Sequence, residues 1–318
     1  MNKKTRKTTT FRVAFVLVTL LSFLTLSPSA KAAVKAKQIS VVVATFPPYD
    51  FVRSITDDRV ELSMLLSPGA EPHSFDPSPR DIIKMRDCDL FIYVGGESDV
   101  WVRQILDSLA TNVKRPKVLH LMDYVDAVKE KSTHALADDE EESDYDGHIW
   151  TSPANAKKIV TAISEALCAI DKKNAKFYQK NTADEIAKID KLDALFRAIV
   201  DGGARKTMIF ADRFPFRYFA DYYGLDCRAA FPDCSSETEA SVGTVAFLIK
   251  KTREEKIPAV FFVEFSNEKM ADILVSETGA KKLLFHSAHN VSKDDFESGV
   301  TYISIMERNA KNLKEALN

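Results

Sequence analysis

Residues 174–201 read NAKFYQKNTADEIAKIDKLDALFRAIVD, a run of almost thirty residues without glycine or proline. Phe177, Ile186, Ile189, Leu192, Leu195 and Ile199 recur along it at helical steps, so one apolar stripe is written down a single helix. At a rise of 1.5 Å per residue that helix spans about 40 Å. Gly202-Gly203 ends it. A helix of that length with no internal breaker is a rigid connector, and its reading sets the layout of everything on either side.

Working outward, apolar runs of strand character alternate with helical patterns on both sides. Before the helix, Ile39–Thr45, Val60–Leu66, Leu90–Val94 and Val118–Leu121 are expected strands, and Pro48–Thr56, Pro79–Arg86, Asp99–Thr111 and Pro153–Leu167 expected helices. After it, Thr207–Phe210, Ala259–Val263 and Lys282–Phe285 read as strands, and Phe216–Tyr223, Val242–Glu255 and Lys269–Thr278 as helices. Alternation of this kind gives α/β architecture with mainly parallel sheets. The expected layout is an N-terminal α/β lobe over 38–172, the connecting helix over 173–203 and a C-terminal α/β lobe over 204–318.

The N-terminus reads as an export signal over residues 1–32. Lys3, Lys4, Arg6 and Lys7 precede the apolar run Val13–Leu26, and Ala30-Lys31-Ala32 fits a cleavage site. The run is short for a membrane span, which takes about 20 residues, so a retained anchor is the second choice. None of the four cysteines lies near that site, and no acceptor for a lipid anchor is expected there. Removing residues 1–32 takes Lys+Arg from 44 to 38 against 46 Asp+Glu, a net charge near −8. An acidic exported chain argues against nucleic acid and suits cations. Cys227 and Cys234 are either a local disulfide or buried thiols; both readings stay open.

Three of the six histidines lie in short polar turns beside apolar stretches: His73 in GAEPHSFDP (69–77), His148 in YDGHIWTSP (145–153) and His286 in LLFHSAHN (283–290). A lone histidine of this kind usually caps its own turn. Three of them suggest a metal site assembled from distant loops, since neutral imidazole is a favoured zinc ligand. Binding through unperturbed histidines would weaken below pH of about 6.5. Seven acids in Asp138–Asp146 precede His148 and read first as a solvated loop; attraction of cations is the sharper reading for them.

The segments V-V-A-T-F-P-P-Y (42–49), L-S-P-G-A-E-P-H-S-F-D-P-S-P (66–79) and D-G-H-I-W-T-S-P (146–153) resemble the solute-binding proteins of zinc and manganese ABC transporters, the cluster that includes the streptococcal adhesion lipoproteins. Glu239 and S-E-T-G-A (276–280) follow in the order that resemblance expects. It implies two α/β lobes joined by one long rigid helix, with a single metal at the lobe interface. The chain is then an exported, non-enzymatic protein, in a periplasm or at the outer face of the cytoplasmic membrane. It would capture Zn2+, with Mn2+ as the alternative, and hand it as a monomer to an ABC permease. By motif, His73 and His148 are ligands. The place of a third ligand, five residues before Tyr218-Phe219, holds Arg213, which has no lone pair to give, so the adjacent Asp212 is the expected substitute. His286 stands where the resemblance puts the last ligand, with His289 and Glu264 as further candidates. Three histidines favour zinc over manganese. The competing readings are a surface adhesin in which the metal is structural, a zinc hydrolase using Glu71 or Glu264 as base, and a binding protein whose metal is lost because of Arg213. No H-E-x-x-H motif supports the hydrolase.

Overall fold

A computed structural model describes residues 38–108, 115–129, 145–231 and 240–318. The signal segment, His134, Cys234, Glu239 and residues 138–144 of the acidic run lie outside the described residues, and with them the Cys227–Cys234 pairing.

Two four-stranded sheets, all of whose pairs are parallel, form the framework. In the first, β1 (Ser40–Val43), β2 (Glu61–Met64), β3 (Leu90–Tyr93) and β4 (Lys117–His120) lie in the order β2-β1-β3-β4. In the second, β5 (Thr207–Phe210), β6 (Asp226–Ala229), β7 (Ala259–Phe262) and β8 (Lys281–Leu284) lie in the order β6-β5-β7-β8. The two orders are the same, although no sequence repeat announces it. The central strands, such as Val41–Val43 and Leu90–Ile92, are buried on both faces and read as unbroken apolar runs, as parallel strands covered by helices must.

Eight of the described helices fall close to expectation, and the two after the final strand carry no expectation from the sequence. The helices are α1 (Phe46–Thr56), α2 (Pro79–Asp87), α3 (Val100–Ser108), α4 (Pro153–Ile170), α5 (Ala175–Gly202), α6 (Arg217–Tyr223), α7 (Val242–Glu254), α8 (Lys269–Thr278), α9 (Lys293–Glu297) and α10 (Tyr302–Leu317). Prolines at the start of α1, α2 and α4 cost nothing, because a first-turn N–H has no partner within the helix. The connecting helix buries Tyr178, Thr182, Glu185, Ile189, Leu192, Phe196 and Ile199, a clean alternation of three and four. Phe196 takes the core position and Leu195 is 43% exposed, one place around the helix from the expected stripe.

That stripe packs on α4, α1 and α10, so α5 is an integral layer of the protein as well as a link between the sheets. One apolar core runs through both sheets, including Val41 and Ile92 from the first, Phe210 and Phe261 from the second, and Leu313 of α10. Polar ties cross the same boundary: Asp50 Oδ2 in α1 accepts the Tyr302 N–H of α10 at 2.6 Å, and Arg53 donates to the Val300 carbonyl at 2.6 Å. The carboxyl ends of both sheets thereby meet over one small cleft, the place where open α/β sheets bind ligands.

Candidate metal centre

Five loops that follow strands reach this cleft. The loop after β2 carries Glu71 and His73. Pro72–Ser74 forms a single tight turn whose entry residue, Glu71, accepts the His73 N–H at 3.5 Å. The loop after β3 brings Ser98, whose Oγ lies 2.9 Å from His73 Nδ1. The stretch entering α4 carries His148 between Asp146 and Trp150. From the second sheet, the loops after β5, β7 and β8 supply Arg213, Glu264 and His289.

Among the described residues, His73, His148 and His289 form a group in which one ring nitrogen from each lies within 4.8 Å of the other two. The ring centroids are separated by 5.1 Å for His148–His289, 5.2 Å for His73–His289 and 5.8 Å for His73–His148. Ligands on a tetrahedral zinc at about 2.05 Å stand about 3.3 Å apart, so small side-chain rotations close the set. Trp150 packs against His289 at 4.9 Å and donates its indole N–H to the Ser287 carbonyl at 2.7 Å. Asn290 stitches the third loop to the first, donating to the carbonyls of Ser67 at 2.9 Å and Ala70 at 2.8 Å. Gly69 N–H adds a bond to the Val291 carbonyl at 2.8 Å. These loops are thus braced against one another by the Trp150 and Asn290 side chains and one backbone bond.

The electrostatics suit a cation that needs neutral nitrogen. Burial, then the neighbouring His148 and Arg213, push the His73 pKa down to about 3. The same causes, burial first, hold His289 well below the ordinary histidine value. Both rings are neutral at pH 7 and keep a lone pair for a metal. The cavity between them is about 30 Å³, room for little more than one ion or one water. Glu71, Arg213 and Glu264 also line it.

The remaining sequence candidates are placed differently from expectation. His286 is not in the three-histidine group, and His289 holds its place. His286 Nδ1 accepts the Ala288 N–H at 2.9 Å, so this ring closes its own turn, while Asn309 bonds both its N–H and its carbonyl at 2.8 Å. Between the two histidines Ala288 sits at φ 62, in the left-handed region, and turns the chain. Asp212 is not among the residues lining the cavity. Its oxygens accept the N–H groups of Arg213 at 2.8 Å and Val263 at 3.3 Å, and its burial raises its pKa. It therefore holds the β5 and β7 loops together. Arg213 pairs with a carboxylate, that of Glu71, at 3.4 Å. Glu264 accepts the N–H of Ser287 at 2.8 Å and the Ser287 hydroxyl. Sequence reasoning missed Ser98 and the role of Asp146 as a partner of His148; the Asp-Gly-His spacing was the available signal for the second, and nothing marked the first.

With this geometry in hand, comparison with known proteins is direct. The family model for zinc-uptake complex component A, periplasmic, matches residues 41–316. The high-affinity zinc uptake system protein ZnuA of Bacillus subtilis is 30% identical over 302 residues, covering 92% of this chain and 91% of that protein. The zinc-binding lipoprotein AdcA of Streptococcus pneumoniae is 27% identical over 96% of this chain, which spans 60% of AdcA's length. The crystal structure of the Zn(II)-bound ZnuA-like domain of AdcA superposes with a TM-score of 0.73 at 27% identity, over 88% of this chain and 99% of the domain.

Proposed function

The chain belongs to the family of periplasmic zinc-uptake component A proteins, and from that premise we propose that it captures Zn2+ through His73, His148 and His289 and delivers it to the permease of an ABC importer. One observation carries the reading of the site: three imidazoles from three separate loops, with ligand atoms within 4.8 Å of one another, converge on a cavity of ionic size. Nitrogen donors of this kind suit zinc better than manganese, which prefers more oxygen. Glu264 lines the same cavity and supplies the fourth ligand, directly or through a water. A carboxylate has about four lone-pair sites, and its two bonds from Ser287 leave it acceptor capacity. Arg213 carries a positive charge into the cavity and is held off the metal by Glu71.

Zinc is cargo here, so the site must release as well as bind. Ligands on three loops allow this: displacing one loop removes one nitrogen and weakens the whole shell. The protein acts outside the cytoplasmic membrane, following its export signal, and no described helix is long and apolar enough to cross a bilayer.

The test is metal analysis and chelator competition on the mature chain. Wild type is expected to hold one zinc per chain and to lose it on His73→Ala, His148→Ala or His289→Ala. Stoichiometric zinc retained by the His73→Ala/His148→Ala double variant would sink the assignment.

A further inference from the structure

We infer that Asp146 is the positioning residue of the metal centre, fixing His148 in the tautomer whose Nε2 carries a lone pair, not a proton. The inference rests on the zinc-site reading above, and a separate observation carries it. Asp146 has no solvent exposure, and its Oδ1 lies 2.8 Å from His148 Nδ1 and accepts the His148 backbone N–H at 2.7 Å. Oδ1 already acts as an acceptor toward the His148 backbone, and in the same position it accepts from the ring, so the ring donates from Nδ1 and leaves Nε2 as the lone-pair nitrogen. In water the opposite proton placement is available to a neutral imidazole, and it would block the metal-facing nitrogen.

The backbone around Asp146 is itself clamped. Its N–H donates to the Val128 carbonyl at 3.0 Å, and its carbonyl accepts the Tyr218 hydroxyl from α6 at 2.8 Å. The same Tyr218 oxygen accepts the Val128 N–H at 3.2 Å. Ring, carboxylate and supporting loop are therefore tied together by one set of hydrogen bonds.

The second oxygen, Asp146 Oδ2, is buried and has no hydrogen-bond partner among the described residues. A buried anion with half its acceptors unmet is costly, and a cation on the far side of the imidazole compensates it through the polarised ring. His73 offers the contrast. Its Nδ1 partner is the Ser98 hydroxyl, which can donate or accept and so sets no tautomer.

The first experiment uses the unaltered mature protein. Nitrogen-15 NMR of the metal-free chain at pH 8 reads the His148 tautomer directly, and the Nδ1–H form is expected. The second compares zinc affinity and tautomer in Asp146→Asn and Asp146→Ala. The asparagine keeps an acceptor oxygen but not the charge, and is expected to weaken zinc binding by about tenfold. The alanine removes both, and about a hundredfold loss with a shift toward Nε2–H is expected. An Nε2–H tautomer in the wild type, or wild-type zinc affinity in Asp146→Ala, would overturn the inference. Absence of zinc binding in the wild type would instead overturn the function reading, whatever the tautomer shows.

Discussion

In the first lobe, the loops beyond the strands bring two histidines to the cleft, each with a side-chain partner on its Nδ1: Ser98 for His73 and Asp146 for His148. In the second lobe, built on the same strand order, the loops after β5, β7 and β8 bring one histidine, His289, together with the guanidinium of Arg213 and the carboxylate of Glu264. The same scaffold therefore does two jobs. In the proposed site one lobe would present two ring nitrogens, and the other would complete the shell and set the charge of the cavity. Parallel sheets leave their carboxyl-end loops open to variation, so the framework can repeat while its chemistry diverges.

The sharpest way to break this comparison is to delete ligands one lobe at a time. Loss of His148 or His289 to alanine is expected to weaken zinc binding by about 10²–10³-fold, the share of one ligand in a structural-type zinc affinity. His286→Ala is expected to stay within about threefold of wild type, because its ring closes a turn and lies outside the three-histidine group. Competition titration with a chromogenic chelator measures all three. If His286→Ala loses zinc and His289→Ala keeps it, the contribution of the second lobe has been misassigned.

That pair of residues also shows what could be read from the sequence and what could not. The connecting helix, seven of the eight strands among the described residues and the first-lobe histidine turns are legible, because periodicity and proline-bounded turns are local signals. β6 reads Asp226-Cys227-Arg228-Ala229; it is short, half polar and at the sheet edge, so it carries no apolar run. α10 was also unmarked, although it covers both lobes. Between His286 and His289 the chain turns at a left-handed residue, Ala288, and alanine gives no sign that it will adopt φ 62. Arg213 was visible as an oddity, but its partner Glu71 stands 142 positions away and is brought near only by the fold.

The next effect is on stability against pH, and it draws on one histidine from each lobe. His73 is lowered to about 3 and His289 is lowered well below 6.5, each mainly by burial. Below their ordinary value of about 6.5, the unfolded chain binds more protons than the folded one, so folding stability rises with pH. The contribution is fully present above that value and is lost as pH falls toward the folded values. The metal-free protein should lose about 1.4 kcal/mol per pH unit for each of these two histidines below pH of about 6. Urea denaturation at pH 7, 6 and 5, with and without His289→Asn, measures it. An unchanged slope in the variant would show that His289 is accessible to protons in the folded state.

A smaller effect is expected from Arg213, the feature that most separates the two lobes. Its charge lines the cavity beside the rings that would hold a dication, and Glu71 offsets it only in part. Arg213→Met keeps most of the stem's packing and removes the charge. Zinc binding is expected to tighten by about three- to tenfold, the scale of one screened charge at a short distance. Because screening reduces such terms, the gain should shrink at high salt. Weaker binding in the variant would mean that Arg213 organises the site through Glu71 more than it repels the metal.

The smallest expected effect is on shape, and it asks whether the lobes move at all. Wide closure needs a hinge, a few loop residues that absorb large backbone changes with little packing across them. Here α5 is flanked by α1, α4 and α10, and one apolar core includes residues of both sheets. Bonds from Tyr302 to Asp50, from Asn290 to Ser67 and Ala70, and from Trp150 to Ser287 join the halves on the cleft side as well. Opening would have to break these and expose core surface together, at a cost well above what a single ion repays through one loop. Zinc should therefore leave the radius of gyration in solution scattering unchanged within error. Hydrogen-exchange protection should rise only in the loops carrying His73, His148 and His289. A compaction on zinc binding, with protection spreading into α5, would mean that the lobes behave as two bodies.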